Sequence, residues 1–349
     1  MKTWDAVIVG GGIIGISLAL ELRRHGGSIL VVDRTEPGRE ASSAAAGMLA
    51  EFDPEMPAAL RDLVAASSRM YPEFLHQIED ESGLNVDLRA EGTILLGEDA
   101  ASVCPPAKKL TPEDVARLEP GLSGRSPAWF LPERTLDPRM LIAAVLKAAK
   151  HRGIEVAFGD AVTELLLDGD RVTGVRTGRT HFSAPVVVNC AGAWASELVP
   201  QGFPARPVKG QMLALVARRG LLRHVVRSPE VYLVPRSDGR VIVGATVEEK
   251  GFDKRVDADT MQRLRQAAAI LMPELGEARI LETWAGLRPG TPDELPILGR
   301  GAFEGYFVAC GHYRNGILLA PATATSMAQL IRGEQPSLDL GTFSPTRFE

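Results

Sequence analysis

Apolar residues fill Ala6–Val9 without interruption, and again Ile29–Val32 of a second strand, Ser28–Val32, which closes on Asp33. Short apolar runs bounded by turn signals read as buried strands. Between them, Ile13–Arg24 carries apolar positions at helical spacing until His25-Gly26-Gly27 stops it. This predicts a strand–helix–strand opening of about thirty residues. A second helical pattern covers Ala58–Glu81 and ends at Ser82-Gly83, and Glu91–Leu96 reads as a strand. Six prolines fall between Asp99 and Pro132, so long regular elements are not expected there. Thr111-Pro112-Glu113-Asp114 still offers a cap and a first-turn proline for a short helix ending near Pro120.

Asp137-Pro138 opens a helix over Arg139–Arg152, stopped by Gly153. Strands are expected at Glu155–Phe158, Val162–Asp168 and Arg171–Thr177, with Gly169 turning between the last two. Val186–Cys190 is a further buried strand. The character then changes. Gln211–Val216, Val231–Pro235 and Arg240–Gly244 read as an antiparallel sheet with a Ser237-Asp238-Gly239 turn, and Asp259–Met272 as an amphipathic helix. The chain returns to a strand at Tyr306–Ala309 and a helix near Ile317–Ile331. The two sheet types do not separate at one boundary. We expect a discontinuous nucleotide-binding domain (1–85, 139–207 and 286–349) with a second, antiparallel domain (86–138 and 208–285) inserted between its pieces.

A length of 349 residues suits two domains. A net charge of −5 argues against a nucleic-acid surface and for a small-molecule partner. Cys104, Cys190 and Cys310 are too scattered for a disulfide framework or a metal site, which fits a reduced, cytoplasmic setting. The longest apolar stretch, Ala6 to Leu20, is broken by glycines and too short for an integral membrane segment.

Gly10, Gly12 and Gly15 form G-x-G-x-x-G between the first strand and its helix. Gly10 permits the turn, Gly12 lets a pyrophosphate approach the backbone, and Gly15 lets helix and strand pack. The helix N-terminus, beginning at Ile13 and Ile14, offers free N–H groups to the phosphates. Asp33 stands eighteen residues after Gly15, where a carboxylate accepts hydrogen bonds from a ribose. An acid there disfavours a 2′-phosphate. The loop by itself does not separate FAD from NAD.

Four further motifs occur in order: Ala41-Ser42-Ser43-Ala44-Ala45-Ala46-Gly47-Met48-Leu49, Cys190-Ala191-Gly192-Ala193-Trp194-Ala195, Gly286-Leu287-Arg288-Pro289, and Gly311-His312-Tyr313-Arg314-Asn315-Gly316-Ile317-Leu318. Together with the glycine loop they resemble the FAD-dependent D-amino acid oxidase superfamily, most closely glycine oxidases of the thiamine-biosynthesis type. The likeness runs from Asp5 to about Arg332. It implies an α/β fold, α+β overall, with a Rossmann-type FAD-binding domain and an inserted antiparallel substrate domain. It implies non-covalent FAD: sarcosine oxidases of this superfamily use a cysteine in a segment comparable to Thr291–Leu298, which has none here.

Residue by residue, the resemblance places Asp33 and Arg34 at the adenosine end, with Val162 at the adenine. Ser42, Ser43, Ala46, Gly47 and Met48 would line the flavin, and Ala191, Gly192 and Trp194 would close over the cofactor. Arg314, Asn315, Gly316, Ile317 and Leu318 would set a helix N-terminus at the pyrimidine end of the ring. Arg288, helped by Tyr232 and Arg314, would bind the substrate carboxylate. No residue is expected to act as acid or base, and His312 is read as structural or cofactor-contacting.

The expected reaction is oxidation of glycine or another small amino acid by hydride transfer to flavin N5. The imine hydrolyses to a 2-oxo acid, glyoxylate from glycine, and O2 becomes hydrogen peroxide. Supply of an imine for thiamine thiazole synthesis and a homo-oligomer are family-level expectations. A D-amino acid dehydrogenase with a quinone acceptor, or a sarcosine or other N-methyl amino acid oxidase, stays open as an alternative.

Overall fold

The computed structural model describes residues 2–97, 106–123, 127–198 and 203–348, and Cys104 lies outside them. The first strand, Ala6–Val9, sits inside a six-stranded sheet. Its order is Ile297–Arg300, Tyr306–Cys310, Val187–Asn189, Ala6–Val9, Ile29–Asp33, Glu155–Phe158, and every pairing is parallel except that of Ile297–Arg300 with its neighbour. Register joins Val7 to Val187 on one side and Leu30 on the other.

Alternation explains why these strands are apolar throughout. Ile8, Val31 and Val188 face the helices Ile13–Arg24, Arg61–Ser82, Pro138–His151 and Gly316–Ile331. Val7, Val9, Leu30, Val32 and Val187 face a three-stranded sheet made by Val162–Asp168, Arg171–Thr177 and His181–Ser183. Both faces are covered, so the central strands are largely apolar, and the buried Asn189 is accommodated by hydrogen bonds from its Nδ2 to the Ala195 carbonyl and the Tyr306 hydroxyl.

The helix Gly316–Ile331 contains Pro321, which cannot donate to the Ile317 carbonyl four residues back. The buried face of the helix Arg61–Ser82 supplies the missing partner: the Tyr71 hydroxyl donates to the Ile317 carbonyl at 2.7 Å. Ser67 donates to the Leu318 carbonyl at 2.7 Å and accepts from the Ala322 N–H at 3.2 Å.

The second large sheet has eight strands, in the order Arg279–Gly290, Arg206–Val216, Arg240–Gly244, Tyr232–Pro235, Val225–Arg227, Thr93–Leu96, Ala128–Leu131, Lys108–Leu110. It is antiparallel except where Val225–Arg227 meets Thr93–Leu96. One face packs on the helix Ala258–Leu271 through Leu213, Leu215, Val243, Leu264 and Ala268. The other face, with Met212, Ala214, Val234 and Ile242, packs against Ala46 and Met48. A small sheet of Met48–Leu49, Arg134–Leu136 and Leu88–Arg89 lies beside that segment.

Two regions differ from expectation. The proline-rich window holds the strands Lys108–Leu110 and Ala128–Leu131 as well as the helix Pro112–Leu118. Its described prolines fall between elements, or in the first helical turn at Pro112, where a missing N–H costs nothing. The capping box at Thr111 and Asp114 is present. The long strand Arg279–Gly290 is invisible in the sequence pattern because it carries Gly286, Pro289 and Gly290, all disfavoured in strands. It tolerates a proline because it is the edge of its sheet.

Candidate functional site

The strand Ala6–Val9 delivers its glycine loop to the C-terminal edge of the six-stranded sheet. Gly10 has φ of 109°, and a Cβ there would lie 2.6 Å from the carbonyl carbon of Cys190. Only glycine allows the turn and the approach of the neighbouring strand. The helix Ile13–Arg24 then begins with Gly12 as its cap, no side-chain cap bond from that residue and no acid in its first turn. Ile13 N–H donates to Ser42 Oγ at 3.0 Å. Asp33 accepts from Gly11 N–H at 2.7 Å and Thr35 N–H at 2.8 Å, and burial raises its carboxyl above the usual range.

Gly10, Gly12, Ile13, Asp33 and Ser42 line a cavity of about 190 Å3, together with Ile14, Arg34, Val162, Ala191, Gly192 and Trp194. The Arg34 guanidinium lies 4.3 Å from the Trp194 ring centre, and Phe252 stacks on Trp194 at 5.2 Å. Lys254 pairs with Glu40 at 3.0 Å. The loop carrying Phe252 and Lys254 is thereby tied to two residues of the cavity wall, Trp194 and Glu40.

Deeper in the same cavity are Cys190, Cys310 and His312. Burial pushes both thiols up, Cys310 to about 12. Burial also lowers the His312 imidazole to about 3, and its Nε2 sits 3.1 Å from the Thr323 hydroxyl. It is a neutral wall residue at physiological pH. Three expected site residues line neither cavity. Gly15 packs its helix onto Gly10, Ser43 donates to the Gly38 carbonyl, and Leu318 is core.

A second cavity of about 600 Å3 adjoins the first, sharing Ala41, Ala45, Leu287, Tyr313, Arg314 and Ile317 with it. Its walls are the segment Ala44–Met48 and the apposed face of the eight-stranded sheet. Trp284 Nε1 donates to the Ala44 carbonyl at 3.1 Å, which ties the two walls together. Gly316 and Ile317 begin a sixteen-residue helix with no side-chain cap bond and no acid in its first turn.

Arg288 is half-buried here, opposite Val208 in register. Its guanidinium lies over Gly210, where a Cβ would stand 2.6 Å from Cζ. Nη1 donates to the Thr246 carbonyl at 3.0 Å. Among the described residues Arg288 has no carboxylate partner, so its charge is left to a ligand. Tyr232 is close enough to interact with it, and burial nevertheless holds the phenol above its usual range. Tyr232 is therefore a protonated donor at neutral pH. Gly244, opposite it, leaves the space the ring occupies: a Cβ there would be 2.6 Å from the hydroxyl.

Arg314 also lines this cavity, but its Nη1 is paired with Glu55 at 2.6 Å. It is a rim ion pair, unlike the uncompensated Arg288. Met212, Gly210, Glu230 and Phe252 were not anticipated from the sequence. The strand period places Met212 and Gly210 on one face, but only the pairing with Arg279–Gly290 shows which face meets Arg288.

Both cavities fit FAD on this structure's own features. A helix N-terminus with no acid in its first turn lines the first and another lines the second, and the small residues Ala41 and Ala45 are shared between them. Among the described residues no cluster of His, Cys, Asp or Glu could hold a metal ion, and no helix is long and apolar enough to cross a membrane.

Comparison with known proteins agrees in kind. Residues 5–330 match the family model described as FAD dependent oxidoreductase. Glycine oxidase of Pseudomonas aeruginosa is 34% identical, over 97% of this chain and 98% of its own length. The bifunctional protein ThiO/ThiG of Synechocystis is 37% identical over 99% of this chain, which spans only 54% of that relative. The crystal structure of glycine oxidase from Geobacillus kaustophilus superposes with a TM-score of 0.95 at 32% identity, covering 99% of both chains.

Proposed function

Since the chain belongs to the family of FAD-dependent oxidoreductases and is an FAD-dependent amino acid oxidase, we propose that it oxidises glycine or another small amino acid, with O2 as acceptor and hydrogen peroxide as product. The observation that carries this reading is Arg288, a cation without a carboxylate partner among the described residues, on the wall of a cavity that adjoins the glycine-loop cavity. A substrate carboxylate there receives paired N–H donors from the guanidinium. The Tyr232 hydroxyl adds a donor beside it. Fixing the carboxylate at two points orients the adjacent carbon, which is much of what an enzyme must supply.

Non-covalent FAD, when bound, takes up the hydride as the substrate amine becomes an imine. Residues 1–85, 139–207 and 286–349 would hold it, the helix at Ile13 taking the diphosphate and Asp33 a ribose. The helix beginning at Gly316 would hold negative charge at the far end of the ring. His312 is too weak a base to take a proton near neutral pH, and no protein base is required when the amine binds neutral. Imine from glycine would suit supply to thiamine thiazole synthesis, as the ThiO/ThiG likeness suggests.

The test is an aerobic panel of glycine, sarcosine, D-alanine and D-proline on the FAD-loaded protein with peroxide detection. Peroxide formation with one of them supports the reading. Flavin reduction without peroxide, relieved by a quinone, replaces it with a dehydrogenase.

A further inference from the structure

Six charged side chains line the larger cavity: Asp53, Glu55, Arg227, Glu230, Arg288 and Arg314. Four of them cancel in pairs, Arg227 with Asp53 at 2.8 Å and Arg314 with Glu55 at 2.6 Å. Glu133 stands 3.9 Å from Arg227 but does not line the cavity, and it is buried behind that pair. Among the described residues, Arg288 and Glu230 then remain without an ion-pair partner. One is a half-buried cation on the sheet; the other is an exposed anion at the rim.

The backbone holds Glu230 in place. Arg227 and Tyr232 pair across two antiparallel strands, and residues 228–231 make the turn between them. Ser228 N–H donates to the Val231 carbonyl at 2.9 Å, and its hydroxyl accepts from Val231 N–H at 3.2 Å and donates to Glu230 Oε2 at 3.0 Å. Pro229 packs against Gly97, where a Cβ would be only 3.3 Å away. Glu230 is therefore fixed two residues from Tyr232, on the wall of the same cavity as Arg288.

We infer that this cavity selects amino acids by side-chain charge: Glu230 favours a substrate carrying a cationic group beyond the reacting carbon and disfavours one carrying a second carboxylate. The inference rests on the amino acid oxidase reading and adds a second subsite to it. With the carboxylate on Arg288, whatever extends from the reacting carbon toward the entrance meets an uncompensated negative charge. An exposed carboxylate acts through high-dielectric surroundings, so the bias is modest: roughly tenfold between opposite charges.

The experiment compares kcat/KM for D-ornithine, D-norvaline and D-glutamate, with glycine as reference, in the FAD-loaded wild type, Glu230→Gln and Glu230→Lys. The three longer substrates have similar reach and differ in charge. The expected order in wild type is D-ornithine over D-norvaline over D-glutamate. The ornithine-to-glutamate ratio should fall about fivefold in Glu230→Gln, invert in Glu230→Lys, and shrink in the wild type as salt screens the rim. An unchanged ratio in both variants overturns the inference. So does a wild-type preference for D-glutamate, or failure of all three to be oxidised or to compete with glycine. If neither glycine nor any of the three reduces the bound flavin, it is the underlying reading that falls.

Discussion

Arg288 lies across Gly210, two residues along the paired strand from its register partner Val208. Any side chain at Gly210 would enter the volume of the guanidinium. Replacing Gly210 by alanine should therefore act on Arg288 more than on folding. We expect kcat/KM to fall about tenfold through displacement of the clamp, with a normal flavin spectrum. Arg288→Ala should cost more, about a hundredfold or beyond, because a charged pair to the carboxylate is lost. Arg288→Lys should restore little of it, since a point charge does not reproduce the fork. Steady-state kinetics with the best amino acid of the panel check all three.

The hydroxyl of Tyr71 replaces the hydrogen bond that Pro321 cannot make to Ile317. Tyr71→Phe leaves a buried carbonyl without that donor, which should cost about 1–3 kcal/mol of stability. Because Ile317 lines both cavities, FAD affinity should weaken as well. Chemical denaturation and a flavin-fluorescence titration read the two effects separately; an unchanged stability would mean the carbonyl finds another partner.

His312 is buried and neutral, lowered from 6.5 to about 3. The unfolded chain takes up its proton first as pH falls, so its contribution to stability is whole above about pH 6.5 and declines toward about pH 3. In His312→Gln the thermal midpoint should depend less steeply on pH across that window. The pH profile of kcat should show no ionisation belonging to His312 near neutrality.

Phe252 and Lys254 tie their loop to the dinucleotide cavity by different means. The Phe252 ring stacks on Trp194, whereas Lys254 makes a partly exposed ion pair with Glu40. Aromatic stacking contributes about 0.5–1.5 kcal/mol beyond its buried area, and exposed ion pairs about 0–1. Phe252→Ala should thus speed FAD release several-fold, while Lys254→Ala should change it by less than about twofold. Stopped-flow fluorescence during dilution of the holoprotein measures both rates. Equal effects would mean that the stack does not guard the cavity.

Most of the local structure was legible in the chain. Ala6–Val9, Ile13–Arg24 and Arg171–Thr177 appear with the bounds their periodicity predicts, because buried strands and amphipathic helices write their faces into short windows. The glycine loop and Asp33 were legible for the same reason: a turn, a helix start and a strand end lie within about thirty residues. The ordered motifs carried the family as well.

What the sequence left open depended on pairs far apart in the chain. Arg288 and Arg314 look alike as arginines near glycines, yet Arg314 is neutralised by Glu55 while Arg288 has no carboxylate partner among the described residues. That difference arises from which loop folds over which strand. The strand Arg279–Gly290 was hidden because its glycines and proline go against strand propensity, and Gly286 answers instead to a distant neighbour, Ala44, which packs where its side chain would be. The residue types and their local elements were determined by the sequence alone. Which charges meet, and which are left over for a ligand, was decided only when the two sheets closed around the cavities.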